Sequence, residues 1–247
     1  MPSTLEIVDL GYRTESGWAL FENVQLTLNP GDLMIIAGRS GSGRSTLLEL
    51  CAALTAPTRG CIRWDGEEVS GMPRARLFEH RRRMGFVFQV HALISNMTVF
   101  DNIALPLRHH TDLDESDIRT RVESRLRDLG MLNASVSYPE ELSIREQKSA
   151  AFIRAFIMDP DLVFLDEPTA GLDDVSEREL IDALNAIRRS RPITTLMITN
   201  ESRIMQALGG AIAVLNAGRV TVHPPRSLQS ADIVRLLEGA YEQTRCE

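Results

Sequence analysis

The feature that most constrains the fold is a glycine-rich run between an apolar segment and a helical pattern. Leu33 to Ala37 has the composition of a buried strand, and the run GRSGSGRS at 38–45 follows it directly. From Arg44 to Leu54 the apolar spacing becomes helical. A loop in this context directs main-chain N–H groups and a helix N-terminus toward one point, which is how many proteins bind phosphate. The sequence therefore predicts a phosphate-binding loop.

Composition and charge exclude several classes of protein. The 247 residues are 43% hydrophobic and 25% charged, which is typical of a folded globular protein and not of a disordered chain. The net charge of −7 opposes sequence-independent binding to a polyanion. We therefore expect no nucleic-acid partner.

The location in the cell is predicted from three further properties of the sequence. The first residues lack the basic region and apolar run of a secretory signal. No stretch has the roughly 18 uninterrupted apolar residues of a membrane span, so any membrane role requires a partner. The three cysteines lack zinc-binding spacing, which suits a reducing compartment. We expect a cytoplasmic protein.

Hydrophobic periodicity predicts an α/β fold. Short strands separated by Gly and Pro open the chain, and the Asp65-Gly66 turn after Cys61–Trp64 marks a hairpin. From Leu162 onward strands alternate with helices, as in a doubly wound sheet. We predict one domain over 1–247, with a mainly helical segment at about 90–157 inserted into the α/β core.

Two helices are predicted outside that alternation. One lies in the helical segment and ends at Gly130. The other lies within residues 226–247 and has Ile233 to Leu237 as its apolar centre, followed by a polar tail. The apolar stripe of the first helix comprises Ile118, Val122, Leu126 and Leu129.

A pair of acids follows a second buried strand. Leu162 to Leu165 is apolar, and Asp166-Glu167 comes directly after it. An acid in this position can bind Mg²⁺, and its neighbour can orient the water that attacks a phosphate. Two solvated acids at a strand end are the alternative when the pair is taken by itself.

With these two motifs and the later Gly171-Leu172-Asp173, the sequence resembles the ATP-binding subunits of ABC transporters over almost its whole length. The resemblance implies a P-loop (RecA-like) core with an antiparallel β subdomain and an inserted helical subdomain, which binds ATP and Mg²⁺. The resemblance implies nucleotide contacts for Tyr12, Gly38, Arg39, Ser40, Gly41, Ser42, Gly43, Arg44, Ser45 and Thr46, and a contact of Ser143 with the nucleotide of the opposite subunit. It implies metal binding for Ser45, Gln89 and Asp166. It implies catalytic roles for Glu167, Gln89 and Asn200.

A narrower resemblance concerns the segments 71–77 and 88–108, which are similar to those of Mla-type ATPases. Those enzymes power phospholipid transport with MCE-domain partners. The resemblance implies a membrane permease subunit, an MCE-domain lipid-binding protein and a peripheral position on the cytoplasmic face of the inner membrane. Lipoprotein-release and macrolide-export ATPases share the Leu-Pro-Leu at 105–107.

The sequence departs from the family pattern at three places. Arg44 stands where the loop has Lys, and a planar guanidinium keeps the charge but changes the shape. Ile144-Arg145-Glu146 replaces the Gly-Gly-Gln of the signature, which removes flexibility and adds a negative charge, with Arg145 as a partial compensation. Asn200 replaces the switch histidine. Together these changes predict slow hydrolysis, because losing one donor to a developing charge costs about 10²- to 10³-fold in rate.

Three functional hypotheses remain open on the sequence. The chain is either an ATPase that drives a permease or a nucleotide-gated clamp with little hydrolysis. A soluble protein acting on ribosomes or DNA is disfavoured by the single cassette and the acidic charge. The ATPase subunits form a homodimer, in which both sites carry all three departures, or a heterodimer, in which the departures are divided between the sites.

Overall fold

The chain divides into two units, each with its own strands and helices. The first comprises residues 1–77 and 192–247, and the second comprises residues 78–191. The computed structural model describes residues 3–227 and 231–236. Across these described ranges, no helix combines the length and the apolar character needed to cross a membrane.

One sheet of the first unit is antiparallel, in the order β2-β1-β4-β5. Leu5 pairs with Leu28 on one side and with Trp64 on the other, and all three side chains are fully buried. The predicted hairpin turn at residues 65–66 is confirmed. The strands are β1 (Leu5–Arg13), β2 (Ala19–Leu28), β4 (Arg59–Trp64) and β5 (Glu67–Glu68).

The other strands of the first unit centre on β3 (Leu33–Gly38), which is buried throughout. It pairs in parallel with β8 (Thr194–Ile198) and β9 (Ala211–Asn216), and β10 (Arg219–His223) is antiparallel to β9. Parallel strands bring their carboxyl ends to the same edge of a sheet. The residues that follow β3 and β8 therefore meet.

The second unit contains the parallel pair β6 (Met84–Val87) and β7 (Leu162–Asp166). Most of its helical segment lies between these two strands in the chain. The predicted stripe is confirmed, because Ile118, Val122 and Leu126 are buried and Leu129 packs against the same core. The helices are α3 (Val99–His110), α4 (Glu115–Asp128), α5 (Ile144–Phe156) and α6 (Asp174–Ser190), with short 3-10 turns at Leu132–Ala134 and Pro139–Glu141.

The predicted α/β class is confirmed, with one helix shorter than expected. The helix α1 (Arg44–Cys51) ends before Leu54, because Ala53 adopts a left-handed φ of 51° and the Leu54 N–H bonds back to the Glu49 carbonyl. The remaining helices of the first unit are α2 (Arg74–Arg82), which continues into the second unit, and α7 (Ser202–Leu208).

At the carboxyl end, residues 231–236 are helical and Ile233 is buried. The rest of that predicted helix, Leu237 included, lies outside the described residues. The single-domain boundaries, with an insertion at about 90–157, remain a prediction.

Candidate functional site

The glycine-rich loop leaves β3 through backbone positions where only glycine fits. A Cβ at Gly38 would lie 2.4 Å from the Leu215 carbonyl oxygen, and one at Gly43 would lie 2.7 Å from the Leu20 side chain. Gly43 also has a φ of 95°, in the left-handed region. The spacing of these glycines is therefore set by close packing against β2 and β9, which fixes the path of the loop.

The N-terminus of α1 is open to an anion. Gly43 occupies the N-cap position, and no side chain of the described residues caps this helix. The uncapped N–H groups of a helix start carry a partial positive charge. The Ser42 hydroxyl is buried in the same loop and finds no hydrogen-bond partner in the described part of the chain. These donors fit a phosphate group.

The other side chains of the loop differ in their exposure to solvent. Ser40 is exposed, while Arg39, Arg44, Ser45 and Thr46 are partly buried. The Ser45 hydroxyl belongs to the first turn of α1. This position gives it access to the same anion as the helix N-terminus.

Asn200, which follows β8, binds the start of the loop. Its Oδ1 accepts from the Gly38 N–H at 3.0 Å, and its Nδ2 donates to the Gly38 carbonyl at 2.9 Å. A primary amide can donate and accept along one edge, which matches the N–H and the carbonyl oxygen of this one residue. The side chain therefore holds the loop at its origin. The catalytic role that the family resemblance implies for Asn200 remains a prediction.

Tyr12 lies on β1 opposite Phe21 of β2. It lines a cavity of about 690 Å³, together with Arg13, Arg59 and Arg219. The phosphate-binding loop does not contribute to the lining of this cavity. A cavity of this volume is within the range that small ligands occupy.

In the second unit, the paired acids are presented by β7. Asp166 is its last residue and is buried, and Glu167 follows with a left-handed φ of 42°. A non-glycine residue in this region carries strain of about 1–3 kcal/mol, and such strain occurs often at functional sites. The strand places the two carboxylates in different surroundings, one buried and one partly exposed.

Gln89, two residues after β6, has an exposed side chain. The main-chain carbonyl oxygen of Gln89 accepts a hydrogen bond from the Nζ of Lys148 at 2.6 Å. Lys148 also donates to the Glu167 carbonyl at 3.2 Å. Lys148 was not among the predicted site residues, although it stands directly before the small side chains Ser149, Ala150 and Ala151 on α5.

The start of α5 carries the departures from the expected signature. Ser143 is the N-cap and accepts from the Glu146 N–H, while the Glu146 carboxylate accepts from the Ser143 hydroxyl at 2.7 Å and from its N–H at 2.9 Å. These bonds hold the pKa of the Glu146 carboxyl below its usual value. The hydroxyl expected to contact phosphate therefore donates to an acid of its own helix.

The two residues between Ser143 and Glu146 point elsewhere. Ile144 is 57% exposed. Arg145 donates to Glu179 of α6 at 2.8 Å. The compensation that was expected from Arg145 is therefore directed to a carboxylate of this chain.

Asp173 is the N-cap of α6. It accepts from the N–H groups of Val175 and Ser176, and its pKa is lowered by the main-chain and side-chain bonds of Ser176. This carboxylate is therefore ionised and oriented by its own helix.

Comparison with known proteins decides the family. The ABC transporter domain matches residues 21–170, which is more than half of the chain. The chain belongs to the ABC transporter family. As an ABC protein it is an ATP-binding subunit, and ABC ATPases of this family bind ATP, typically with Mg²⁺.

Individual relatives agree with this assignment. The intermembrane phospholipid transport system ATP-binding protein MlaF of Escherichia coli K12 is 33% identical over 210 residues, which are 85% of this chain and 78% of that one. The methionine import ATP-binding protein MetN of Corynebacterium efficiens is 33% identical over 199 residues, or 81% of this chain and 55% of that one. A dimeric ATP-binding cassette in a post-hydrolysis state with ADP and Pi has a TM-score of 0.84 at 25% identity, over 91% of this chain and all of that one.

The residues of this ABC subunit fit the expected cofactors. A hydroxyl, an amide and a carboxylate, from Ser45, Gln89 and Asp166, are oxygen ligands of the kind that Mg²⁺ prefers. The open start of α1 and the buried Ser42 hydroxyl suit phosphate oxygens. Within the described residues, no cluster of three or more His, Cys, Asp or Glu has the arrangement of a metal site made by the protein alone.

Proposed function

We propose that this ABC subunit binds and hydrolyses Mg²⁺-ATP in a dimer that drives a membrane permease. The observation that carries the proposal is the phosphate-binding loop, in which two close-packed glycines lead into the uncapped start of α1. Residues 38–46 bind the phosphates, with Arg44 supplying the positive charge, and Tyr12 stacks on adenine.

The second unit contributes the hydrolytic groups in this proposal. Ser45, Asp166 and Gln89, the metal ligands that the family resemblance implies, would hold Mg²⁺, which would neutralise phosphate charge. Glu167 orients the attacking water and accepts its proton. Asn200 acts by keeping Gly38 in place, and Ser143 acts on the nucleotide of the opposite subunit.

Replacing Glu167 by Gln tests this assignment. The amide keeps the size but accepts no proton, so we expect hydrolysis to fall by about 10²- to 10⁴-fold while ATP stays bound. The measurement is phosphate release and calorimetric binding on the purified transporter complex. The control is Glu140→Gln, a change of an exposed acid on a 3-10 turn, which we expect to leave both unchanged. Wild-type turnover in Glu167→Gln contradicts the assigned role.

The proposed cargo is phospholipid, with an MCE-domain protein as a further partner on the cytoplasmic face of the inner membrane. The support is the match to MlaF, which covers more of both chains than the match to MetN. Purification of the tagged complex from membranes, followed by mass spectrometry of its subunits and bound lipid, tests this proposal. A methionine-binding partner without lipid would contradict it.

A second candidate function is a nucleotide-gated clamp with little hydrolysis. It is favoured by the Glu146 carboxylate, which accepts the hydrogen bond of the Ser143 hydroxyl and adds negative charge where a phosphate is expected. Phosphate release separates the two functions. If the wild-type complex binds Mg²⁺-ATP but releases phosphate no faster than Glu167→Gln, the clamp is the function.

A further inference from the structure

Lys148 is a buried cation with two main-chain acceptors. Its side chain leaves α5 toward the core of the second unit, where the residue is 5% exposed. The ammonium donates to the carbonyl of Gln89 at 2.6 Å and to that of Glu167 at 3.2 Å. One side chain thus joins the loop after β6 to the residue after β7.

A buried ammonium needs such partners. Burial lowers the pKa of Lys148, and the negative charges of Asp166 and Glu167 oppose that change. Carbonyl oxygens accept from two of its three N–H donors, and an ammonium without partners would be costly in this environment. The positive charge of the ammonium therefore interacts with the negative charges of the paired acids, Asp166 and Glu167.

The backbone of Glu167 is the part that needs support. Its φ of 42° is strained, and such a conformation persists only where the surroundings hold it. The Glu167 carbonyl accepts from Lys148 and from the Ala170 N–H at 3.1 Å. Loss of the ammonium leaves the turn after β7 with one of these two bonds.

We propose that Lys148 is a positioning residue that sets the main chain of Glu167 and couples it to the Gln89 loop. The proposal rests on the proposed hydrolytic role of Glu167. A displacement of the Gln89 loop is then transmitted through one ammonium to the turn that carries the water-orienting carboxylate. In this proposal Lys148 acts through the main chain of Glu167.

Arg154 provides a matched control on the same helix. It donates to the carbonyls of Ala92 at 2.9 Å and His91 at 3.4 Å, so it holds the same loop. None of its hydrogen bonds reaches Glu167 or the turn that follows it. Arg154→Met therefore removes a cation from the loop and leaves the support of Glu167 in place.

The first measurement is ATP hydrolysis by the assembled transporter. Lys148→Met keeps the length of the side chain and removes the charge, and we expect kcat to fall by about 10²-fold, because small misplacement of a catalytic group has an effect of that size. KM stays within about threefold, since the phosphate loop is unchanged. Lys148→Arg restores part of kcat, and Arg154→Met changes kcat by less than about threefold.

The second measurement is hydrogen exchange, which does not depend on turnover. Lys148→Met speeds exchange of the Ala170 amide, whereas Arg154→Met leaves it unchanged. Equal kcat losses in the two Met variants, or unchanged exchange at Ala170 in Lys148→Met, would overturn the proposal. A wild-type complex without turnover contradicts the proposed hydrolysis instead, and the exchange data then decide on Lys148 alone.

Discussion

Two helix N-termini of this protein carry motifs that the ABC family uses on phosphate, and they differ in how their donors are satisfied. The start of α1 has glycine at its N-cap, no side-chain cap in the described structure and no acid in its first turn. The start of α5 is capped by Ser143, and the Glu146 carboxylate binds back to that residue. The start of α1 can bind an external anion, whereas the start of α5 already binds the Glu146 carboxylate of its own helix.

The difference shows that departures from a family pattern need not have equal consequences. Asn200 changes the chemistry of the switch position but supports the loop before α1 through two bonds to Gly38. Glu146 changes the charge at the start of α5 and binds the hydroxyl expected to act. The uncapped start of α1 is therefore better suited to an external phosphate than the capped start of α5.

The largest effect is expected from a change in the loop that leads to the uncapped start of α1. In Gly38→Ala the new Cβ would lie 2.4 Å from the Leu215 carbonyl oxygen, so the loop must move. We expect Mg²⁺-ATP affinity to fall by at least about 100-fold, or roughly 2.7 kcal/mol, measured by calorimetry.

Gly66→Ala is the control for Gly38→Ala. Gly66 has a φ of 80°, and a Cβ added there would have nothing within 4 Å, so its replacement strains a turn without a clash. We expect a stability loss of about 1–2 kcal/mol and unchanged binding. Normal nucleotide affinity in Gly38→Ala would remove α1 from the proposed site.

An intermediate effect is expected for Asn200→His. One edge of an imidazole offers a single nitrogen, so it cannot both accept from the Gly38 N–H and donate to the Gly38 carbonyl oxygen. Losing one bond of this kind costs about 1 kcal/mol, so we expect affinity to weaken by about 5- to 10-fold with no gain in phosphate release. Asn133→His, at an exposed position, is the control. Faster turnover with unchanged affinity would instead show that this position acts on the nucleotide as a switch histidine does.

The smallest effect is expected from a change at the capped start of α5. Glu146→Gln keeps the reciprocal cap but removes the charge. We expect hydrolysis to rise by less than about tenfold, because one charge near an anion at such a site contributes roughly 1 kcal/mol. A phosphate-release assay measures this, with the exposed Glu140→Gln as the control for removing an acid. A lower rate would show that the carboxylate assists hydrolysis.

The same variant has a predicted pH dependence. Because the pKa of Glu146 is lowered on folding, its stabilising contribution is present above the ordinary glutamate pKa and is lost as pH falls through the folded value. Glu146→Gln should therefore lose less stability than the wild type on acidification below about pH 4. Identical acid-unfolding curves would contradict the assigned hydrogen bonds.

Local patterns predicted most of the fold and the motifs. The run at 38–45 lies between a strand and a helix as expected, and the acids at 166–167 end a buried strand. Glycine spacing and apolar periodicity are properties of neighbouring residues, so they can be read without a structure. The structure ends α1 at Cys51 and not at Leu54, because Ala53 adopts a left-handed conformation that its residue type does not indicate.

The sequence by itself determined the family, the strand and helix order and the residue types available to bind phosphate and metal. Only the tertiary structure decided which partners those residues take. Gly38 and Asn200 are 162 positions apart, and Lys148 and Gln89 are 59 apart, so no local pattern relates them. Parallel strands and a buried helix bring these groups together, and a buried polar group must then bind whatever lies within its reach.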